Sequence, residues 1–153
     1  MLTNWEFEKK YFLHKDMVYR IAFTYMKNVQ ESEDILQEVF LKLYKRGKGF
    51  ESEEHEKRWL IRVTTNLCKD KLALFWNKRR CEFEGLEQLA DKEAERSVIQ
   101  DIVSLPEKYR IAIYLHYVEG YQCKEIAEIL GKSESAVKMR LKRGKEMLKN
   151  ERR

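Results

Sequence analysis

Residues 123–142, Cys-Lys-Glu-Ile-Ala-Glu-Ile-Leu-Gly-Lys-Ser-Glu-Ser-Ala-Val-Lys-Met-Arg-Leu-Lys, leave few folds open. Apolar residues recur at helical spacing on both sides of Gly131, and glycine takes the positive φ that ends a helix without a steric penalty. Ala127 is small enough for two helices to cross closely, Val137 turns inward from the second, and Ser133 is a good N-cap for it. Together these positions predict a helix-turn-helix. Its second helix then turns Ser135, Lys138, Met139 and Lys142 outward, a face suited to a DNA major groove. A plain helical hairpin would share the core of Ile126, Ile129, Leu130, Val137 and Leu141, but it needs neither the turn glycine nor so basic a second helix. Arg140, Lys142, Arg143, Lys145 and Lys149 follow closely, with Arg152 and Arg153 at the end, and that density attracts phosphate.

The rest of the charge is unevenly placed. The 153 residues carry a net +5, yet residues 81–97 hold six carboxylates against Lys92 and Arg96, a balance of −4 that leaves the flanks at +9. Two basic bodies joined by an acidic strip suggest two nucleic-acid contacts and a connector that avoids or imitates nucleic acid. The length allows one ordinary domain or two very small ones. Cys68, Cys81 and Cys123 are odd in number and widely spaced, which indicates neither a disulfide framework nor a zinc site. No metal and no cofactor is expected. The chain is charged from Glu6 onward and has no apolar run of membrane-spanning or signal-core length, so a cytoplasmic protein, neither exported nor inserted, is expected.

Nearly every periodic segment is helical, and there is a single proline, which predicts an all-α fold. From Trp5 to about Lys27, Tyr11, Val18, Ala22 and Tyr25 form a stripe, followed by a turn near Asn28. From about Ser32 to Arg46, Ile35, Leu36, Val39, Phe40, Leu43 and Tyr44 give a wide apolar face that leaves Asp34, Gln37, Glu38 and Leu41 outside. After a polar loop over 47–56, a third helix runs from about Glu56 to Trp76. Its expected inward stripe is Trp59 or Leu60, Val63, Leu67 and Leu74, while Arg58, Arg62, Asn66, Lys69 and Lys71 gather elsewhere. Basic and aromatic residues on one long helix suit single-stranded DNA, where stacking gives sequence-tolerant affinity and cations track the backbone. A solvated charged face over a tryptophan core is equally compatible with that composition.

Beyond the acidic strip, Ser97 to Val103 begins another helix, and Leu105-Pro106-Glu107 marks a break with proline at the first position of the next. That helix carries Ile111, Ala112, Leu115 and His116 to a stop at Glu119-Gly120. Gln122 occupies the N-cap position of the helix after it and is a poorer cap than serine, with Glu125 placed to assist.

Over nearly its whole length the chain resembles the extracytoplasmic-function group of bacterial RNA polymerase sigma factors. Ser32-Glu33-Asp34-Ile35-Leu36-Gln37-Glu38-Val39-Phe40 is similar to the family's core-polymerase-binding stretch. The run Trp59 to Asp70, with Trp-Leu, Asn66 and Asp70 at the family's spacing, resembles its promoter-melting helix. Leu105-Pro106-Glu107-Lys108-Tyr109-Arg110 opens its C-terminal domain, with the helix-turn-helix in the family's place. The order and separation of these stretches carry the resemblance. The sequence departs from the family at Gln122, where a small hydroxyl cap is usual, at Ser135-Ala136, where Gly-Thr or similar is common, and at Gly144, where alanine is usual.

The resemblance implies two small helical domains joined by an acidic linker: residues 1–80 for polymerase docking and for recognition and melting of the −10 element, 81–97 as linker, and 98–153 for the −35 duplex. It implies core RNA polymerase (β′ and β subunits) and promoter DNA as partners, and an anti-sigma factor such as holds many members inactive. Asp34, Gln37, Glu38 and Leu41 would face the polymerase. Arg58, Arg62, Asn66, Lys69 and Lys71 would meet the −10 strand. Phe50 and His55 precede them in the loop where the family holds a flipped base, and Lys78, Arg79 and Arg80 would bind phosphate. Trp59, beside Leu60, is expected to pack. Glu134, Ser135, Ala136, Lys138, Met139 and Arg140 lie in the first two turns of the recognition helix, with Arg143 and Lys145 further along on phosphates. The acidic linker is consistent either with a nucleic-acid mimic on basic channel walls or with a solvated tether.

Two other classes fit less of the chain. A helix-turn-helix regulator with a helical dimerisation domain explains residues 98–153 but leaves the acidic-amide face and the Trp-Leu, Asn66, Asp70 helix without a task. A nuclease or recombinase would need clustered carboxylates or a nucleophile with convergent arginines. Asp34 and Glu38 share a face without a partner carboxylate, and His14, His55 and His116 fall in three different elements, so no catalytic residue is expected.

Overall fold

The computed structural model describes residues 2–75 and 93–151. The chain divides into two compact units, Met1–Gly85 and Leu86–Arg153. Among the described residues there are helices and no strand, as expected.

The N-terminal unit packs three helices, α1 (Asn4–Met26), α2 (Val29–Lys45) and α3 (Glu53–Phe75), each against the other two. A reciprocal cap starts α1: Thr3 Oγ1 accepts from the Glu6 amide at 3.1 Å, and Glu6 Oε2 accepts from the Thr3 amide at 3.3 Å. Lys27, left-handed at φ 56°, ends the helix, and its amide donates to the Phe23 carbonyl. Asn28 then caps α2, its side chain accepting from the Glu31 amide at 3.0 Å. The helix therefore begins before Ser32, which is buried inside it and donates from its hydroxyl to the Asn28 carbonyl at 2.6 Å. Val18, Ile21, Ala22 and Phe23 of α1 meet Ile35, Val39, Phe40 and Leu43 of α2 and Leu60, Ile61 and Cys68 of α3 in the core.

The buried face of α3 differs from the expected stripe. Leu60, Ile61, Thr64, Thr65 and Cys68 are buried, Trp59, Val63 and Leu67 are half-buried, and Leu74 is 76 % exposed. Threonine can occupy this face because its hydroxyl is satisfied within the helix: Thr64 Oγ1 donates to the Leu60 carbonyl at 2.6 Å and Thr65 Oγ1 to the Arg62 carbonyl at 3.0 Å. A stripe counted on apolar residues alone is turned away from these threonines. The helix also starts earlier, at Glu53, where Ser52 Oγ accepts from the His55 amide at 3.1 Å, so His55 belongs to its first turn and not to the loop.

The C-terminal unit holds α4 (Glu93–Val103), α5 (Glu107–Tyr117), α6 (Cys123–Leu130) and α7 (Glu134–Glu151). Residues 93–97, expected at the end of the linker, form the start of α4. Pro106 lies one position before α5 as its N-cap, with a non-helical ψ of 145°, and not at the first helical position. Every residue from Tyr109 to Leu115 is buried, because α5 is the central helix against which α4, α6 and α7 pack. Arg110, also buried, donates from Nε to the Leu105 carbonyl at 2.7 Å and secures the α4–α5 connection. No helix among the described residues is long and apolar enough to cross a membrane.

Candidate nucleic-acid interface

The turn between α6 and α7 is built locally. Gly131 ends α6 in the left-handed region at φ 65°, Ala127 and Val137 are buried where the helices meet, and Ser133 Oγ accepts from the Ala136 amide at 3.1 Å. The Gln122 amide donates to Glu125 Oε1 at 2.9 Å, so Glu125 supplies the assistance expected of it at the start of α6. Ahead of it, Gly120 takes φ 79°, and the Tyr121 carbonyl meets His116 Nδ1 at 2.8 Å.

This geometry leaves Ser135, Lys138, Met139 and Lys142 exposed on α7, with Met139 48 % exposed. Lys138 is only loosely engaged, its Nζ 3.5 Å from Glu134 Oε1 one turn back. Ala136 is half-buried at the cap. Arg140 is half-buried and donates from Nη1 to the Lys108 carbonyl at 3.2 Å, tying the recognition helix to the start of α5. Exposed Arg143 bonds the hydroxyl of Tyr109. Burial pushes that phenol up, but the hydrogen bonds and positive charge of Lys108 and Arg143 outweigh it and hold it below 10.0. Exposed Lys145 borders an apolar cleft with Val98, Ile102, Tyr117 and Leu148.

On α3, Arg58, Arg62, Asn66 and Lys69 fall on one face at helical spacing, Arg62, Asn66 and Lys69 exposed and Arg58 paired through Nε with Glu54 Oε2 at 2.9 Å. Lys71 points elsewhere, toward α2, where its Nζ lies 3.0 Å from Glu38 Oε1. Phe50 is half-buried. The Arg46 guanidinium lies 4.2 Å from its ring centroid and 5.1 Å from that of Trp59, and Phe50 also touches His55 and Trp59 at 5.4 and 5.6 Å. Trp59 thus packs, as expected. The exposed His55 accepts the Glu51 amide at Nδ1, 3.2 Å away. Lys78, Arg79, Arg80 and residues 81–92 of the expected linker lie outside the described residues.

On α2, Asp34, Gln37, Glu38 and Leu41 share one face, with Leu41 52 % exposed and Asp34 Oδ1 accepting from Gln30 Nε2 at 3.2 Å. Two features had no sequence signal. Arg46 is the cation around which the loop aromatics gather. A buried cluster joins α1 to the first turn of α3, in which Glu56 pairs with Lys10 Nζ and its Oε2 lies 2.9 Å from His14 Nε2. Among the described residues no group of three histidines, cysteines or carboxylates is arranged to hold a metal ion.

Comparison with known proteins finds two family models along the chain. Residues 11–76 match the family Sigma-70 region 2 and residues 97–148 match Sigma-70, region 4. The chain is 30 % identical over 162 residues to the ECF RNA polymerase sigma factor SigW of Bacillus subtilis, covering 91 % of this chain and 84 % of that one. To the ECF RNA polymerase sigma factor SigE of Mycolicibacterium smegmatis it is 30 % identical over 152 residues, covering 90 % of this chain and 58 % of the relative. The fold is shared with the sigma factor RpoE from Bartonella quintana, solved with the anti-sigma factor NepR, at a TM-score of 0.73 and 18 % identity over 94 % of both chains. The chain belongs to the ECF group of RNA polymerase sigma factors, initiation factors that direct promoter-specific transcription.

Proposed function

We propose that the two units divide promoter recognition. Residues 1–80 dock on core polymerase and capture the melted −10 strand, 81–97 connect, and 98–153 hold the −35 duplex. The observation that carries this is the pairing of a helix-turn-helix, with Lys138, Met139 and Lys142 exposed on its second helix, with a separate three-helix unit whose α3 aligns Arg58, Arg62, Asn66 and Lys69. The acidic-amide face of Asp34, Gln37, Glu38 and Leu41 is suited to basic and apolar side chains of a polymerase helix, on the β′ subunit by analogy with the family. Melting needs no fuel here, because binding of unpaired bases offsets an unstacking cost of a few kcal/mol per base. The work is binding alone, without catalysis, and it takes place in the cytoplasm, where polymerase and promoter meet. An anti-sigma factor is the expected regulator, a reading supported by the fold shared with RpoE in its complex with NepR.

The test is reconstitution. Added to core polymerase on promoter templates, the chain should produce initiation at defined start sites that share two upstream elements. Binding to DNA that needs no polymerase, without specific initiation, would instead mark a stand-alone regulator. Strand cleavage with magnesium would overturn the non-catalytic assignment.

A further inference from the structure

The start of α5 is tied to the recognition helix by contacts that base reading alone does not require. Arg140 Nη1 donates to the Lys108 carbonyl at 3.2 Å. Gly144 brings no side chain to the crossing, and a Cβ there would lie 3.6 Å from Tyr109 Cβ, so α7 seats directly against the buried Tyr109. From the preceding position of α7, Arg143 bonds the Tyr109 hydroxyl, which also accepts from Lys108. Lys108 Nζ lies 5.1 Å from the centroid of the Tyr109 ring.

Two cations from different helices thus converge on one neutral oxygen. Lys108 and Arg143 are both exposed, and neither has a carboxylate partner among the described residues. The phenol accepts hydrogen bonds without cancelling their charge, so the summed positive field is left for an anion. A phosphate, with several acceptor oxygens, can take a charge-assisted bond from each cation at once. A long side chain loses rotamer freedom when it meets a ligand, and bonding to a rigid, buried ring removes part of that cost beforehand. Lys138, by contrast, is held only loosely, by Glu134 of its own helix. Fixed cations suit a backbone phosphate, which sets register, whereas an adaptable one suits base edges. Arg143 lies one turn beyond the exposed Met139, which places the pair beside the groove-facing surface.

We propose that Tyr109 is a positioning residue for the −35 contact: its hydroxyl gathers Lys108 of α5 and Arg143 of α7 into a two-cation clamp for one backbone phosphate. The duplex-binding surface thereby extends from the helix-turn-helix to the start of α5. The clamp rests on the proposed −35 role of the C-terminal unit.

The test uses the full chain assembled with core polymerase on a promoter fragment spanning both elements, with a fragment ending downstream of the −35 element as control. Tyr109→Phe keeps the ring and removes the hydroxyl. It should weaken binding to the long fragment about three-fold, the worth of one hydrogen bond, and leave binding to the short one unchanged. It should cost nothing further when Lys108 and Arg143 are both replaced by alanine. Replacing the −35 phosphates one at a time by neutral methylphosphonates should find a single phosphate at which the losses on Tyr109→Phe, Lys108→Ala and Arg143→Ala all vanish. A merely structural tyrosine would not single out one phosphate. Losses on Lys108→Ala and Arg143→Ala without loss on Tyr109→Phe would overturn the positioning role alone. No loss on any of these variants or on Lys138→Ala would overturn the −35 reading beneath it. A Tyr109→Phe loss that is equal on both fragments, persists in the double alanine background, or appears in polymerase assembly without DNA would assign Tyr109 to packing or to a protein contact and overturn the inference.

Discussion

Gly144 of α7 lies against Ile113 of α5 so closely that a Cβ placed on the glycine would sit 2.8 Å from both Ile113 Cδ1 and Cγ1, with Tyr109 Cβ at 3.6 Å. Ile113 is 1 % exposed and has little room to turn aside. The departure from the alanine common in the family is therefore a packing requirement of this chain. Gly144→Ala gains about 1 kcal/mol of helix propensity but overpacks the crossing at a cost of about 1–3 kcal/mol. The expected outcome is a net loss of about 1 kcal/mol in the C-terminal unit, measurable by denaturant unfolding. A stabilised variant would show that Ile113 moves freely.

The Glu56 cluster predicts a larger effect. The Glu56 side chain is only 3 % exposed, and its removal leaves His14 and Lys10 without their acceptor. Glu56→Ala should cost about 3 kcal/mol, toward the low end for a broken buried pair because Lys10 retains some access to water. Urea unfolding of the N-terminal unit checks this, and a loss under 1 kcal/mol would refute it.

Within the recognition helix, Lys138 and Arg140 should separate. Lys138→Ala removes an exposed cation and should shift preference among −35 variants by about 1–3 kcal/mol with stability unchanged. Arg140→Ala also breaks the bond to the Lys108 carbonyl and should add about 1 kcal/mol of destabilisation. Arg143→Ala should weaken all promoters alike. Binding across a −35 library with parallel melting curves tests all three, and uniform losses for Lys138→Ala would remove its base-reading role.

Leu41→Glu should leave unfolding within about 0.5 kcal/mol of the parent, since the side chain is largely solvated. Core polymerase binding should fall by about 1 kcal/mol or more, from loss of an apolar contact in the docking face. Unchanged polymerase affinity in a direct binding assay would place the docking surface elsewhere.

The Tyr19 phenol is raised above 10.0, first by burial and then by the nearby Glu33 carboxylate. A raised folded-state value stabilises the fold below the unfolded value, and that contribution is lost as pH rises from about 10 through the folded value. Tyr19→Phe should therefore flatten the loss of N-terminal stability above pH 10 while changing little at pH 7. An absorbance titration of phenolate against the variant identifies the group.

How far the sequence carried depended on the range of each interaction. The helix-turn-helix was legible because Ala127, Gly131, Ser133 and Val137 act on neighbours within a few residues. The acidic-amide face of α2 was legible because its apolar complement repeats at 3.6 residues. The buried face of α3 was not, because Thr64 and Thr65 are polar by type and suited to burial only through bonds to their own helix. Asn28 is a turn former by residue type and serves here as the N-cap of α2, so that helix starts before Ser32.

By itself, then, the sequence determined the all-α class, the locally encoded turns and caps, and the family, because periodicity, glycine conformation and motif order are properties of neighbouring residues. Only the tertiary structure decided that Glu56 meets His14 across 42 positions, that Arg46 gathers Phe50 and Trp59, and that Gly144 admits Ile113. These contacts depend on how whole helices rotate and approach one another, and that is set by packing and desolvation summed over their shared faces rather than by any local pattern.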